Sequence, residues 1–296
     1  MTTAPAFSFI TATYQCARYL RRCHWSLTRQ TLSDWEWVLV DDASTDGTAD
    51  LIAGLGDARI RYHRLDTNQG RGLARDFALR QARGRWLAVQ DADDFSLPGR
   101  LRRAEEAWFA GFDFLGSALV LIDQDYRVNG VRGCSPRSEP RIFPHATLCG
   151  EANLLRRIGY PAQRWAEDQT MVLTIANTRS GDFAEEPLYV YHENASTRLR
   201  DAFWSQHSAR KQLLALERAG TLPRSAGLKK MQSARFWKMV GLLPFFLWPV
   251  AYRKTLGWRS SHDGTLAQLS ADDRAFIAEC ARLFPLTPPA VSHRAS

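Results

Sequence analysis

The chain has 296 residues, 45% of them hydrophobic and 24% charged, a composition that fits a folded globular protein and excludes a disordered one. Its formal net charge is +8, and its five cysteines (Cys16, Cys23, Cys134, Cys149, Cys280) include no C-x-x-C pair. That argues against a disulfide framework or a zinc site and suits a reducing cytosol.

The opening MTTAPAFSFITATYQ has no basic n-region and no long apolar run, so no signal peptide is expected. Residues 7–13 (FSFITAT) are a short β-branched apolar run, the pattern of a buried strand, and a helix is predicted from about Ala17 to Gln30. A second strand, Trp35 to Val40, runs straight into Asp41 and Asp42, and DGTADLIAGL reads as a helix opened by Asp46 near its N-cap. Arg59 to Arg64 is a third strand, and GLARDFALRQARG a helix closed by Gly84. Arg85 to Gln90 is a fourth strand, again ending in carboxylates at Asp91, Asp93 and Asp94. Alternating strands and helices at this spacing predict βαβ units and an α/β fold with a mostly parallel sheet. Ligands of such sheets bind beyond the carboxyl ends of the strands, where both acidic clusters fall. Further on, FDFLGSALVLID and EEPLYVYHE read as strands, EANLLRRIG as a short helix, and Ser270 to Leu283 as a late helix; no internal repeat is present.

Charge is distributed unevenly. Between Ser196 and Ser260 there are 13 Lys/Arg against only Asp201 and Glu217, a local balance of +11, which leaves about −3 for the rest. A basic helical segment on a mildly acidic protein suits an anionic partner such as membrane lipid or phosphate. A solvated basic helix face explains it equally well.

In DADD (91–94), Asp91 and Asp93 stand just past a strand end, with Ala92 between them allowing close backbone approach. Two hard oxygen ligands suit Mg²⁺ or Mn²⁺, which bind through one or two carboxylates plus substrate phosphates and waters. The bland alternative is an acidic turn capping a helix at Ser96-Leu97-Pro98. Neither cluster is a calcium loop: counted from Asp91, position six is Ser96, and counted from Asp42, position twelve is Ala53. In DDAST, a carboxylate can accept from a base N–H or a ribose hydroxyl, while Asp46 reads as a cap. NQGRGLARD places Asn68 and Gly70 in a turn before a helix bearing Arg75, a combination suited to an anion. It is not G-x-G-x-x-G, so a dinucleotide site is not indicated. Glu167 and Asp168 open a helix; adjacent carboxylates there are commonly dipole partners, but one of them is a candidate general base.

Together, ITATYQ (10–15), VLVDDASTDGT (38–48), NQGRGLARDFALRQARGRWLAVQDADDFSLPGRL (68–101) and AEDQ (166–169) resemble the inverting family 2 glycosyltransferases of GT-A fold, over roughly the first 170 residues. The resemblance implies a metal-dependent enzyme that moves a sugar from a nucleotide-sugar donor to a hydroxyl acceptor. It implies that Thr11, Ala12, Tyr14, Asp41 and Asp42 hold the nucleoside, with Asp42 facing the base. Asn68, Gly70 and Arg75 would then lie near the base or diphosphate, Asp91 and Ala92 on the ribose side, and Asp93, helped by Asp91, at a Mg²⁺ or Mn²⁺ ion. Asp168, with Glu167 beside it, would deprotonate the acceptor. The family often has Pro where this chain has Ala12, and Asn where it has Gln15 and Asp76, which leaves the nucleotide open; a UDP-sugar is favoured. On this reading 1–115 is the nucleotide-sugar half, 116–195 the acceptor half and 196–296 a basic helical extension.

Within that extension, Met239 to Tyr252 carries no charge but is too short to span a bilayer and is interrupted by Pro244 and Pro249. With Trp237, Trp248 and Trp258 near a basic rim, it suits an interfacial segment on an anionic leaflet, or else a hairpin packed on the catalytic domain. The first option favours a lipid-linked or cell-envelope glycan acceptor and a cytoplasmic enzyme at the inner face of the membrane; no nucleic-acid partner is expected. Three rivals remain. A phosphoryl-transfer receiver would need a late Lys, and none lies between Asp91 and Ser196. A sugar nucleotidyltransferase would need a Gly-rich loop where the chain has ATYQCARYL. An inactive GT-A-like membrane-bound scaffold would not need the DADD and ED pairs it retains.

Overall fold

The computed structural model describes residues 4–163, 165–193, 199–242 and 269–286. Its strands are β1 (Phe7–Thr13), β2 (Trp35–Asp41), β3 (Ile60–Arg64), β4 (Trp86–Val89), β5 (Phe95–Ser96), β6 (Phe114–Ile122), β7 (Val128–Arg132), β8 (Cys149–Glu151) and β9 (Gly181–His192). The helices are α1 (Ala17–Thr28), α2 (Thr48–Ala53), α3 (Arg71–Gln81), α4 (Arg100–Phe109), α5 (Ala152–Ile158), α6 (Glu167–Thr178), α7 (Leu199–Arg218), α8 (Ala226–Leu242) and α9 (Ala271–Leu283). Among the described residues the strands form one sheet in the order β3-β2-β1-β4-β8-β6-β9-β5, with β7 paired to β6. From β3 to β4 every pairing is parallel. Beyond β4 the pairing is mixed: β8 runs antiparallel to both β4 and β6, whereas β6 and β9 are parallel.

Strands β1, β2, β4 and β6 are buried on both faces, which is why they read as apolar runs rather than alternating ones. On one face Phe7, Phe9, Trp35, Trp37 and Leu39 pack with Leu20, Cys23 and Leu27 of α1 and with Leu101 and Ala104 of α4. On the other, Ile10, Val38, Val40, Leu87 and Val89 meet Ala74, Ala78 and Leu79 of α3, with Leu155 of α5 and Met171 and Ile175 of α6 behind them. The small residues of α3 let it lie close to the strands, carrying its N-terminus to their carboxyl ends.

Several expectations are corrected. Helix α3 stops at Gln81, where Ala82 turns extended, so Gly84 does not close it. Gly84 instead abuts β1, its N–H donating to Ser8 Oγ at 2.8 Å. A Cβ there would lie 2.6 Å from the backbone of Phe7 and Ser8. Gly84→Ala is therefore expected to cost about 1–3 kcal/mol, as overpacking does, read as a lowered urea midpoint; an unchanged midpoint would refute the close-approach reading. Helix α2 starts at Thr48, after Gly47 in the left-handed region, and Asp46 accepts from Thr48 N at 3.3 Å and Ala17 N at 2.9 Å. Its capping thus serves two loops. β5 and β8 are too short to show a period, and β9 begins at Gly181, ahead of the apolar run, with a partly exposed first half and a bulge between Ala184 and Tyr189.

The C-terminal helices dock on the first part of the chain. Leu173 of α6 packs with Leu213, Leu222 and Leu228 from α7, the connecting turn and α8. Phe276, Ile277 and Cys280 of α9 pack with Phe95, Val120 and Ile122, and Trp25 stacks on Phe276 at 4.7 Å. Residues 243–268, which hold most of the uncharged stretch Met239 to Tyr252 with Trp248 and Trp258, lie outside the described residues. Among the described residues no helix is long and apolar enough to cross a membrane. All five cysteines are free.

Candidate active site

A crevice of about 720 Å³ opens at the carboxyl ends of β1, β2 and β4, and its walls include Ala12, Tyr14, Asp42, Asn68, Gly70, Arg75, Asp91, Ala92 and Asp93. That size lies within the range of small-molecule sites. Nine of the residues singled out from sequence thus meet on one surface. Thr11 and Asp41 do not line it. Thr11 is fully buried and accepts from Trp37 Nε1 at 2.8 Å, because on β1 it shares the side of Phe7 and Phe9, the face covered by α1 and α4. Asp41 is equally buried, accepting from Ser44 N at 2.9 Å and Tyr62 Oη at 2.6 Å, so it shapes the β2–α2 loop from within. Asp42 reaches the crevice with both oxygens engaged: Oδ1 accepts from Gln69 N at 2.7 Å and Oδ2 from Gly70 N at 2.8 Å. The amides at the start of α3 therefore hold a carboxylate of the chain itself, which locks the loops after β2 and β3 together.

The floor is an ion-pair network. Arg75, with its side chain 6% exposed, donates to Asp91 Oδ1 at 2.5 Å and to Glu167 Oε1 at 2.7 Å. Exposed Arg71 adds a second pair to Glu167 at 2.8 Å. Burial opposes charge on Arg75, but the two carboxylates outweigh it and hold the guanidinium protonated. Burial alone would raise the Asp91 carboxyl; Arg75 reverses that and keeps it below the usual carboxylate range. Asp93 behaves oppositely, pushed up by burial and then by the neighbouring Asp91 charge. A cation at its oxygens would relieve both causes.

Asp94 is structural. Its oxygens accept from His192 N at 2.8 Å and Tyr189 Oη at 3.0 Å, and Tyr189 Oη itself accepts from Asp91 N at 3.0 Å. Two buried arginines, unanticipated in the sequence, anchor the same loop. Arg22 of α1 donates to the Asp93 carbonyl and to Tyr126 Oη, while Arg100 of α4 donates to Val89 O at 2.7 Å and Ala146 O at 3.0 Å. The available signal was an Arg lying within the apolar stripe of each helix.

Among the described residues no group of three or more His, Cys, Asp or Glu side chains converges as a metal cage. Asp93 and Asp91 fit a Mg²⁺ or Mn²⁺ ion that takes its remaining oxygens from a diphosphate and water. Both ring nitrogens of buried His192, next to that loop, lack hydrogen-bond partners among the described residues.

Glu167 and Asp168 part company at the start of α6. Glu167 is 1% exposed and held by both arginines, with Oε2 buried and without a hydrogen-bond partner among the described residues. Asp168 is partly exposed and lines a second cavity, of about 340 Å³, with His145, Gln169, Arg132 and Arg235. The residue before the pair, Ala166, sits in the left-handed region at φ 57°, a strained conformation for a residue with a Cβ. Gln212 of α7 braces it, donating to Ala166 O at 2.7 Å and Gln163 Oε1 at 2.6 Å. Gly72 permits the close contact on the other side, since a Cβ there would lie 2.6 Å from Pro161 O. Arg75 thus lines the larger crevice, while Asp168, next in sequence to its partner Glu167, lines a smaller one.

The family model described as "Glycosyl transferase family 2" matches residues 8–156. Among curated proteins, the succinoglycan biosynthesis protein ExoO of Rhizobium meliloti is 40% identical over 214 residues, 64% of this chain and 61% of that protein. The putative glycosyltransferase EpsE of Bacillus subtilis is 32% identical over 176 residues, 55% and 63% of the two chains. The putative teichuronic acid biosynthesis glycosyltransferase TuaG of Bacillus subtilis is 35% identical over 124 residues, 40% and 49%. The chain thus spans less than two thirds of the length of these relatives. Two solved structures share the fold. S. aureus TarS in complex with UDP-GlcNAc has a TM-score of 0.55 at 20% identity, covering 94% of this chain and 80% of that one. The mannosyltransferase PcManGT from Pyrobaculum calidifontis, in complex with GDP-Man and Mn²⁺, has a TM-score of 0.57 at 18% identity, covering 96% and 86%. The architecture is that of GT-A glycosyltransferases, with added C-terminal helices.

Proposed function

The chain belongs to glycosyl transferase family 2, and from that premise we propose that it moves a sugar from a nucleoside-diphosphate sugar to a hydroxyl acceptor, inverting the anomeric carbon, in the synthesis of a surface polysaccharide. The observation that carries this reading is that the two carboxylate sets line different cavities: Asp91 and Asp93 the larger crevice, and Asp168 a separate, smaller one. The names of the succinoglycan and teichuronic acid relatives support the pathway class. The nucleotide sugars bound by the two structural neighbours support the donor class, and a UDP-sugar is favoured.

In the proposed reaction the acceptor hydroxyl gives its proton to Asp168 as its oxygen bonds to the anomeric carbon. The bond from that carbon to the diphosphate breaks, and the diphosphate leaves with the electron pair. A Mg²⁺ or Mn²⁺ ion at Asp93, with Asp91, would neutralise charge on the departing diphosphate. Arg75 keeps Asp91 ionised and Glu167 in place, Asp42 fixes the loop beneath the nucleoside, and Tyr14 and Asn68 offer polar edges to it. The acceptor is a glycan or lipid-linked glycan, and the basic segment 196–260 suits attachment to the anionic inner leaflet from the cytoplasm.

A panel of UDP-, GDP- and dTDP-sugars tests this without an acceptor in hand, water standing in for the hydroxyl. One donor class is expected to be hydrolysed slowly, to stop on addition of EDTA, and to release first the sugar anomer opposite to the donor's, seen by proton NMR. Release of the retained anomer would exclude inversion, and no turnover of any donor would count against transfer altogether.

A further inference from the structure

The cavity at Asp168 has a charge character of its own. Two arginines line it, Arg132 at the end of β7 and Arg235 from α8. Arg235 donates to two neutral amides, Gln206 Oε1 at 2.9 Å and Gln169 Oε1 at 3.3 Å, and neither arginine forms an ion pair among the described residues. Elsewhere around the site the arginines are matched: Arg71 and Arg75 meet Glu167 and Asp91. His145, on the same wall, is pushed down to about 3 by burial and then by Arg75, so it is neutral at physiological pH and adds no charge. The lining charges are therefore two arginines against the single carboxylate of Asp168. Burial works against the charge on Arg235, with Asp168 only partly compensating. A guanidinium half-withdrawn from water, bonded to two neutral amides and only partly compensated by one nearby carboxylate, suits a planar anion, which it can take through two parallel N–H···O bonds.

We propose that the Asp168 cavity selects an acceptor saccharide bearing an anionic group, a carboxylate or a phosphate ester, which Arg132 and Arg235 hold so that a neighbouring hydroxyl faces Asp168. This rests on Asp168 being the group that faces the acceptor. It makes the C-terminal helix α8 a specificity element rather than an appendage.

The test uses the full chain saturated with Mn²⁺ and whichever of UDP, GDP or dTDP it binds, so that the donor crevice is filled. Dissociation constants are measured by NMR for methyl glucoside, methyl glucuronide and methyl glucoside 6-phosphate. At least one anionic probe is expected to bind about tenfold more tightly than the neutral one, the gain typical of a hydrogen bond to a charged group. Preference for the glucuronide points to a uronate acceptor, and preference for the phosphate to a phosphoryl one; either supports the proposal. R132Q and R235Q should each lose the preference while binding the nucleotide as wild type does, and R235K, which keeps the charge, should retain part of it. Equal binding of neutral and anionic probes by wild type, or a preference that survives in the R132Q/R235Q double variant, would overturn it while leaving donor binding intact. Failure of wild type to bind any nucleoside diphosphate would overturn the glycosyltransfer reading along with it.

Discussion

Replacing Asp168 with Asn is expected to lower the transfer rate by about 10²- to 10⁴-fold, the range lost with a general base, with little change in nucleotide affinity. Asn preserves the shape of the side chain but cannot take the acceptor proton. Asp168 lines the smaller cavity and not the donor crevice, so the nucleotide should bind as before. Steady-state rates and a nucleotide titration on the same preparation separate the two effects. Glu167 supplies the contrast. It is buried and held at 2.7–2.8 Å by two arginines, so Glu167→Gln should act through stability and donor-site geometry rather than through loss of a base. If the Asp168→Asn protein transfers at the wild-type rate, the base lies elsewhere.

Arg75→Met should be the most destabilising single change in the site, by about 3–5 kcal/mol, as when one partner of a buried pair is removed. The guanidinium is 6% exposed and bridges Asp91 and Glu167, so its removal leaves Asp91 without this partner and Glu167 dependent on solvent-exposed Arg71. The loss reads directly as a lowered urea midpoint. The Arg75→Met/Glu167→Gln double variant should be less destabilised than the two single changes added together, because the second change removes a charge the first had stranded. Strict additivity, or a cost below about 1 kcal/mol, would mean that the network is not the buried keystone described here.

How far the sequence discloses this site depends on what kind of signal each residue carries. Asp91 and Asp93 were visible because they follow directly on an apolar strand, and Asn68, Gly70 and Arg75 because they sit in a turn that opens a helix. Thr11 and Asp41 were drawn into the expected site by proximity along the chain, but side chains alternate across a strand, and these two point away from the crevice. The separation of Glu167 from Asp168 was hidden for a related reason: on a helix, adjacent residues face about 100° apart, and only tertiary contacts decide which one meets Arg75. The parallel half of the sheet was legible from its strand–helix alternation. The antiparallel part was not, since β5 has two residues and β8 three, too few for any period. The acceptor-side cavity was the least legible feature, because Arg132, His145, Asp168 and Arg235 come from four separate elements. The sequence separation between Asp168 and Arg235 gives no pattern to read.

The central claim, a metal-assisted nucleoside-diphosphate site built on Asp93, is tested most directly by thermal unfolding with UDP, GDP and dTDP, with and without Mn²⁺, on wild type and Asp93→Ala. One diphosphate at 100 times its dissociation constant should add about 2.7 kcal/mol of stability to wild type. That gain should require Mn²⁺ and should disappear in Asp93→Ala. Stabilisation that is equal with and without metal, or that persists in Asp93→Ala, would contradict it.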